Sequence, residues 1–236
     1  MSRTDLLVPF EQKDEAKRLG ARWDATRKVW YVPAGKDVSP FRRWLPREYD
    51  PDDITVRSDW YFIVRSTRDC WKCGARTAVY GFLLPAGHET MMPTGYDEET
   101  DEEQYEMVGQ DAPSLVSNVT VLLPSVADRM KSLTATSYRP DCSQMAQSHY
   151  WMNHCEQCDA KQGDFELFDE PGGAFFPVVE QDALHIDLLK ISERFECEGS
   201  TGYGTPAELL WSRGSGSTGS EPRSLKRSLL SRLFSR

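Results

Sequence analysis

Two pairs of cysteines have the spacing of metal ligands. Cys70 and Cys73, like Cys155 and Cys158, are separated by two residues, so each pair can place two thiolates on one side of a tight turn. Four thiolates suit Zn²⁺, whose filled d shell imposes no geometric preference of its own. With four protein ligands the ion has no open position, so we expect a structural zinc rather than a catalytic one.

Other roles are open to these cysteines. A redox-active dithiol needs only one pair, next to a βαβ pattern that the sequence does not show, and unrelated burial would leave two complete pairs unexplained. Cys142 and Cys197 stand alone and are expected to be small buried apolar residues. His154 adjoins Cys155, but adjacent side chains generally point to different faces, so we expect it to lie outside the ligand set.

A strand-like run precedes each cysteine pair, Trp60–Val64 before the first and Ser148–Met152 before the second. A strand followed by a cysteine pair is typical of a zinc ribbon. However, 81 residues separate Cys73 from Cys155, whereas a compact motif has roughly 15 to 20. The sequence therefore predicts a zinc ribbon whose two halves are separated by a long insertion.

The charge is unevenly distributed along the 236 residues, whose formal net charge is -9. Residues 1–47 carry 11 Lys or Arg against six Asp or Glu, residues 213–236 carry six against one, and the stretch between them sums to -19. Affinity for a polyanion follows local basic patches rather than the net charge. The two ends of the chain are therefore the candidate sites for nucleic acid.

The predicted fold class is α+β, in three parts. Residues 1–47 are expected to form a small basic ββ unit with two helices. Residues 54–212 are expected to form a zinc-ribbon-containing, acidic antiparallel β domain with an insertion at residues 86–115. Residues 213–236 are expected to be a flexible Gly/Ser linker and a basic amphipathic tail.

The insertion and its neighbours carry weaker signals. Seven Asp or Glu side chains lie between Gly95 and Gln110 and repel one another, so a mobile, solvated loop is expected; contact with a basic partner is the alternative. Further along the chain, the predicted elements are a strand at Val119–Leu123, a helix at Ser125–Leu133 capped by Ser125, and a strand at Gly163–Phe168.

Local signals also divide the N-terminal part. Helix formers follow a short apolar stretch, and Gly20 is placed to end the helix that they form. Four elements are expected: a strand at Leu6–Val8, a helix at Glu11–Ala21, a β-hairpin made by Trp23 and Val29–Val32, and a second helix opened by Ser39 and Pro40.

Residues 8–35 read VPFEQKDEAKRLGARWDATRKVWYVPAG. This segment resembles a small domain of uncharacterised function found in plasmid-transfer primases and other proteins of mobile genetic elements, and the blocks KDEAKRLGARWD and KVWYVP carry the resemblance. The resemblance extends over residues 5–46, about one fifth of the chain, and implies an accessory module near nucleic acid, with no assigned chemistry. The later segments YWMNHCEQC and GDFELFDEPGGAFFP resemble a bacterial zinc-ribbon region that accompanies the same module.

Basic and aromatic side chains interleave in this module, as they do in proteins that bind single-stranded nucleic acid. In so small a domain the same aromatic residues are also needed for the core, and the basic residues can equally be a solvated face. Six residues are the candidates for contact with phosphates: Arg18, Arg22, Arg27, Lys28, Arg42 and Arg43.

Residues 221–236 place five apolar side chains on one helical stripe and basic side chains elsewhere, so this segment is expected to order only on a protein partner, a lipid surface or nucleic acid. The apolar residues are Leu225, Leu229, Leu230, Leu233 and Phe234.

No Gly-rich phosphate loop, Ser/His/Asp order or metalloprotease helix is found in the sequence, so a non-enzyme is favoured. No apolar run approaches the roughly 18 residues of a membrane span, and the N-terminus lacks a secretory signal, so a cytoplasmic location is expected. Two functions remain. One is a zinc-binding accessory protein of a mobile element that binds nucleic acid non-specifically; the other is a protein-interaction adaptor that uses the acidic middle and the tail.

Overall fold

A computed structural model of the chain describes residues 3–97, 100–143, 145, 148–202 and 204–215. Three antiparallel sheets and a few short helices make up the regular structure of this part, which agrees with the expected α+β class. None of its helices is long and apolar enough to cross a membrane. The expected amphipathic segment at residues 221–236 lies outside the described residues.

The N-terminal sheet has three strands, with its last strand in chain order at the centre. Leu6, Val32, Phe41 and Trp44 fill the core beneath it. The elements are β1 (Thr4–Leu6), a 3-10 turn (Phe10–Gln12), α1 (Lys13–Leu19), β2 (Arg22–Asp24), β3 (Val29–Val32) and a 3-10 helix (Ser39–Trp44).

The predicted helix and hairpin of this part are confirmed, but two details of the prediction are wrong. Helix α1 ends at Gly20, whose φ of 100° lies in the left-handed region that glycine adopts without steric cost. The expected first strand is present but covers Thr4–Leu6 instead of Leu6–Val8, and Asp5 in it pairs with Tyr31 in β3. The second helix is a 3-10 helix preceded by Val38, and no side chain caps it, so Ser39 is not its cap.

Eleven strands, three α-helices, a 3-10 turn (Pro51–Asp53) and a π-helical turn follow among the described residues. The strands are β4 (Val56–Ser58), β5 (Tyr61–Asp69), β6 (Arg76–Leu84), β7 (Glu89–Asp97), β8 (Glu102–Gly109), β9 (Ser114–Leu122), β10 (Tyr138–Ser143), β11 (Ser148–His154), β12 (Lys161–Gln162), β13 (Asp187–Ile191) and β14 (Phe195–Gly202). The helices are α2 (Pro124–Thr134), α3 (Glu180–Ala183) and α4 (Thr205–Ser215). One sheet has eight strands in the order β13-β5-β6-β9-β14-β4-β7-β8, and another has the order β10-β11-β12.

The eight-stranded sheet is covered on both faces, which explains why its central strands are continuously apolar. Tyr61 and Ile63 of β5 pack in one cluster with residues of α2, β10 and β11. Phe62 and Val64 of the same strand pack in a second cluster with residues of α4 and the segment that contains α3. Strand β5, which ends at the first cysteine pair, is therefore held from both sides.

The acidic insertion, expected to be a loop, forms the β7–β8 hairpin. Its strands pair from Glu89 opposite Gly109 to Asp97 opposite Glu102. Many of its side chains are exposed, so water and salt weaken the repulsion between carboxylates. The repulsion between these carboxylates is therefore too weak to prevent the backbone hydrogen bonds that form the hairpin.

Two more predicted elements differ from the structure. The segment Gly163–Phe168, expected to be a strand, contains a π-helical turn at Phe165–Asp169. Helix α2 begins at Pro124 after Leu123, so Ser125 lies inside the helix and does not cap it. Proline suits this first position because the amide that it lacks would have no partner there.

Helix α4 continues to Ser215, beyond the boundary expected at Ser212. The Arg213 guanidinium donates hydrogen bonds to the carbonyl oxygens of Ala183 and Ile186, the latter at 2.9 Å. A Cβ added at Gly214 would lie 3.0 Å from the Phe62 ring, so the backbone there packs closely on the sheet. Residues 213–215 therefore belong to the folded part rather than to the expected linker.

A chain that ends at Ser212 is expected to unfold at a lower temperature than one that ends at Ser215. The shorter chain loses the Arg213 hydrogen bonds, and charge-assisted bonds of this kind contribute about 2 kcal/mol, equivalent to a melting temperature roughly 4–8 °C lower. Differential scanning calorimetry of both chains measures the difference. Arg213→Ala in the full chain is the control and should show most of the same loss; equal melting temperatures would contradict the packing of this segment.

Candidate metal centre

The four cysteines of the two pairs lie together at the ends of two hairpins. Cys70 and Cys73 occupy the turn between β5 and β6, and Cys155 and Cys158 occupy the turn between β11 and β12. All four Sγ atoms lie within 4.8 Å of one another. The Sγ atoms of Cys70 and Cys158 are 3.7 Å apart, as are those of Cys73 and Cys155.

These distances fit a tetrahedral metal ion. A Zn–S bond of about 2.3 Å places the sulfurs of a regular tetrahedron about 3.8 Å apart. A disulfide would need sulfurs about 2.05 Å apart, and the cysteines are free. The donor set can therefore hold one metal ion with four thiolates.

The two cysteine turns have the same backbone hydrogen bonds. In the first turn the amide of Cys70 donates to the carbonyl of Ala75 at 2.9 Å, and in the second the amide of Cys155 donates to the carbonyl of Ala160 at 2.9 Å. Each bond closes the turn five residues after its first cysteine. Both halves of the site are thus built by the same local structure, although one belongs to the large sheet and the other to the small one.

The likeness extends to the residue after each second cysteine. The amides of Gly74 and Asp159 donate back to the carbonyls of Cys70 and Cys155, at 2.8 and 2.9 Å. Both residues are in the left-handed region, with φ of 71° and 62°. Glycine adopts this region freely and Asp does so more readily than most residues. The sequence signal that could have shown the likeness is Cys-x-x-Cys, then Gly or Asp, then Ala.

Hydrogen bonds from local backbone amides lower the pKa of some of the four thiols, but they are not enough to keep all four ionised. Burial opposes ionisation of Cys70, yet the amides of Cys73 and Lys72 outweigh it and lower the pKa of its thiol to about 6. The Ala75 amide favours the Cys73 thiolate, but the neighbouring thiols, Cys158 foremost, outweigh it and raise its pKa to about 12. A bound dication supplies the positive charge that four adjacent thiolates require.

Polar groups around the sulfurs hold the two turns in place. The Gln162 amide nitrogen lies 3.5 Å from the Cys70 sulfur and 3.0 Å from the Ala160 carbonyl oxygen. The Glu156 amide donates to the Thr77 hydroxyl at 3.0 Å, which joins the second turn to β6. Such contacts to ligating residues fix their orientation and raise metal affinity.

The remaining cysteines and the neighbouring histidine lie outside the group of four. Cys142 and Cys197 are buried. His154 is also buried, with Nε2 3.0 Å from a carboxylate oxygen of Asp141 and Nδ1 3.0 Å from the carbonyl oxygen of Met152. Both of its ring nitrogens are therefore turned to partners other than the sulfurs.

Half of the six basic residues expected to contact nucleic acid are engaged in ion pairs. Arg18, Arg22 and Arg42 are exposed and have no ion-pair partner within the part of the chain that the structure describes. Trp23 is 50% exposed, whereas Trp44 is buried in the core. The ion pairs are Arg27–Asp5, Lys28–Asp159 and Arg43–Glu15.

The N-terminal part touches the second cysteine turn. The Lys28 ammonium lies 3.2 Å from one carboxylate oxygen of Asp159, and Arg139 lies 3.0 Å from the other. His149 Nε2 lies 2.5 Å from the carbonyl oxygen of Leu7, to which it donates. The loop between β2 and β3 therefore lies beside the second cysteine turn.

Residues 3–46 match the family described as "Domain of unknown function (DUF5710)". The resemblance predicted for the N-terminal segment is thereby confirmed, and the match does not reach the cysteine pairs. A DNA primase TraC of Escherichia coli is 60% identical over 42 residues, which are 18% of this chain and 4% of the primase. A second DNA primase TraC of Escherichia coli is 60% identical over 37 residues, 16% of this chain and 3% of that protein. The chain thus spans a very small share of the length of these relatives, and no solved structure matches it.

Proposed function

We propose that this chain is an accessory protein of a mobile genetic element that holds one structural zinc ion and binds single-stranded nucleic acid without sequence preference. The observation that carries the proposal is the pair of 3.7 Å sulfur distances between matching hairpin turns. The likeness of residues 3–46 to segments of TraC primases supports the setting in plasmid transfer. The proposal includes the division into a module at residues 1–47 and a zinc-ribbon domain that begins at residue 54 and extends to Ser215.

Zinc is the metal of this proposal. Tetrahedral sites with four sulfur ligands in proteins hold either zinc or iron. Zinc has no redox chemistry and suits a closed site that only joins two elements. Here it would join the β5–β6 hairpin to the β11–β12 hairpin. Elemental analysis of freshly purified protein distinguishes the two metals, and iron in place of zinc would contradict the proposal.

The proposed nucleic-acid contact uses the three of the six candidate residues that form no ion pair with the described part of the chain. Arg18, Arg22 and Arg42 are free to neutralise phosphates, and the exposed ring of Trp23 lies next to Arg22 in the chain. Because stacking needs unpaired bases, single strands should be preferred over duplexes. The acidic middle of the chain repels the same polymer, so we expect modest affinity.

Binding of labelled single-stranded DNA to the full chain is expected to weaken steeply with salt. Each neutralised phosphate contributes about -0.7 to the slope of log affinity against log salt, so three residues give about -2. The triple variant Arg18→Ala, Arg22→Ala, Arg42→Ala should bring this slope close to zero. Fluorescence anisotropy at several salt concentrations measures it.

The matched control replaces the three ion-paired residues instead. The triple variant Arg27→Ala, Lys28→Ala, Arg43→Ala removes the same formal charge but should change the slope much less, because those side chains already have carboxylate partners. If the full chain binds neither single- nor double-stranded DNA at low salt, the nucleic-acid part of the proposal is wrong.

A second candidate function is the protein-interaction adaptor, and the β7–β8 hairpin favours it. Tyr96 and Tyr105 are both more than half exposed on this acidic hairpin. Exposed aromatic side chains among carboxylates suit a basic protein surface. Copurification of a basic protein that is lost when Tyr96 and Tyr105 are replaced by Ser, together with absence of DNA binding, would favour this function.

A further inference from the structure

We propose that Trp71, on the first cysteine turn, is a stacking surface for an unpaired base and extends the nucleic-acid contact from the N-terminal module to the metal centre. The inference rests on the proposed function and adds a residue to it. Trp71 lies between Cys70 and Cys73, outside the basic segments that the sequence analysis connected with nucleic acid.

The indole of Trp71 is both exposed and held in place. It is 64% exposed, the largest exposure of a tryptophan among the described residues. Its Nε1 donates a hydrogen bond at 2.7 Å to the carbonyl oxygen of Lys161 in β12. A ring that is already fixed loses little conformational freedom when a ligand stacks on it. Trp71 therefore has the properties of a pre-formed aromatic contact.

The turn itself does not require a tryptophan at this position. The second turn has the same hydrogen bonds and holds Glu156 at the position that corresponds to Trp71. Nor does Trp71 belong to the apolar core that packs around Cys70 and Cys155. The hydrogen bond to Lys161 uses only the edge of the indole, so its exposed face is open to a stacked base.

The indole lies close to the loop of the N-terminal module. Lys28 contacts Asp159, and Asp159 is two residues before Lys161, whose carbonyl holds the indole. Two residues of extended chain span about 7 Å, so the path from the Lys28 ammonium to the indole is on the order of 20 Å. This path ends at the loop between β2 and β3, which directly follows the strand that holds Arg22 and Trp23, so we propose that one single strand contacts both this strand and Trp71.

The exposed cations near Trp71 are offset by carboxylates, so the proposed contact is one of stacking rather than of charge. Lys72 and Arg76 are exposed nearby, but Arg76 faces Asp69 at 3.6 Å and Glu156 is exposed on the opposite turn. Asp159 lies between two cations and carries a single negative charge, whereas four thiolates with Zn²⁺ would have a net negative charge. An aromatic surface in such surroundings attracts bases through their π-faces.

Replacing Trp71 with Ala in the full chain is expected to weaken binding of labelled oligothymidylate by about 5- to 20-fold, the lower part of the range that loss of one stacked base produces. The salt slope should stay unchanged, because stacking releases no counterions from phosphates. Trp71→Phe keeps an aromatic face and should retain most of the affinity. Phe165→Ala removes an aromatic ring that is 66% exposed elsewhere and serves as the matched control.

The outcomes separate this inference from the proposed function. If Trp71→Ala binds as tightly as the unchanged chain while the Arg18, Arg22, Arg42 variant is weakened, Trp71 has no such role but the module still binds. If no chain binds at low salt, both are wrong. If Trp71→Ala and Trp71→Phe lose affinity equally and also lose metal, the tryptophan stabilises the turn and the inference fails.

Discussion

Replacement of Cys155 with serine is expected to release the metal and unfold the part of the chain built around the two cysteine turns. Apparent binding free energies of about 10–16 kcal/mol are typical of structural zinc in small peptides, whereas a whole domain is stable by about 5–15 kcal/mol. Metal binding is also folding energy, so the loss of one thiolate removes a large share of the stability. Elemental analysis and thermal unfolding followed by circular dichroism measure both effects.

Cys142→Ser is the matched control for this variant. Cys142 is buried to nearly the same extent as Cys155, with 6% against 2% exposure, but it lies outside the group of four sulfurs. We expect this control to retain one zinc per chain and to lose only about 1 kcal/mol. A Cys155→Ser protein that keeps its zinc and its melting temperature would show that the four thiols do not form a metal site.

A second large effect should come from Asp164, whose side chain is buried. One carboxylate oxygen accepts a hydrogen bond from the Asn118 amide at 2.8 Å, and the other is buried with no hydrogen-bond partner among the described residues. Burial raises the pKa of this carboxyl to about 7, although the Asn118 amide acts in the opposite direction. The folded protein therefore binds the Asp164 proton more tightly than the unfolded chain does.

The sign of the pH dependence follows from that difference. In the unfolded chain the pKa of Asp164 is near 3.8, and below that pH the protonated carboxyl contributes its full stabilisation to the folded state. This contribution to the free energy of unfolding is lost as the pH rises through about 7, the pKa in the folded protein. Relative to Asp164→Asn, which cannot ionise and can still accept from Asn118, the unchanged protein should lose about 2–3 kcal/mol of stability between about pH 5 and pH 8. Urea unfolding of both proteins across this range measures the effect. Because both contain the same cysteines, metal loss affects them alike, and parallel stability curves would contradict the expectation.

The cysteine pairs could be found in the sequence because metal ligation constrains both residue type and local spacing. The likeness of the two turns was harder to find, since Gly74 and Asp159 differ chemically and only their shared left-handed φ makes them equivalent. The sequence also could not show that Lys28 would contact Asp159, because that contact depends on how separate sheets pack. Local patterns thus identify ligands, while their surroundings depend on the tertiary structure.

The predictions for the acidic hairpin and for Gly163–Phe168 failed for a related reason. Charge repulsion predicted a loop at residues 95–110, but cross-strand backbone bonds form there despite it. The polar and apolar alternation around Phe165 predicted a strand, but a glycine turn folds back on this segment. A Cβ at Gly173 would lie 2.6 Å from the Glu166 carbonyl oxygen, and the Phe175 amide donates to the Leu167 carbonyl at 2.8 Å. In both segments, contacts between residues distant from one another in the local pattern determine the backbone conformation.

The separation of the two cysteine turns has a consequence for the order in which the protein is assembled during synthesis. Cys155 follows Cys73 by 82 positions, and a ribosome adding about 5–20 residues per second needs roughly 4–16 s to make that stretch. In this interval the nascent chain can offer an ion only two paired thiolates. Strands β13 and β14, which pair with β5 and β9, are made after the second turn. An ion bound by all four thiolates would join the two hairpins before these last strands are made, and they would complete the eight-stranded sheet on hairpins already joined.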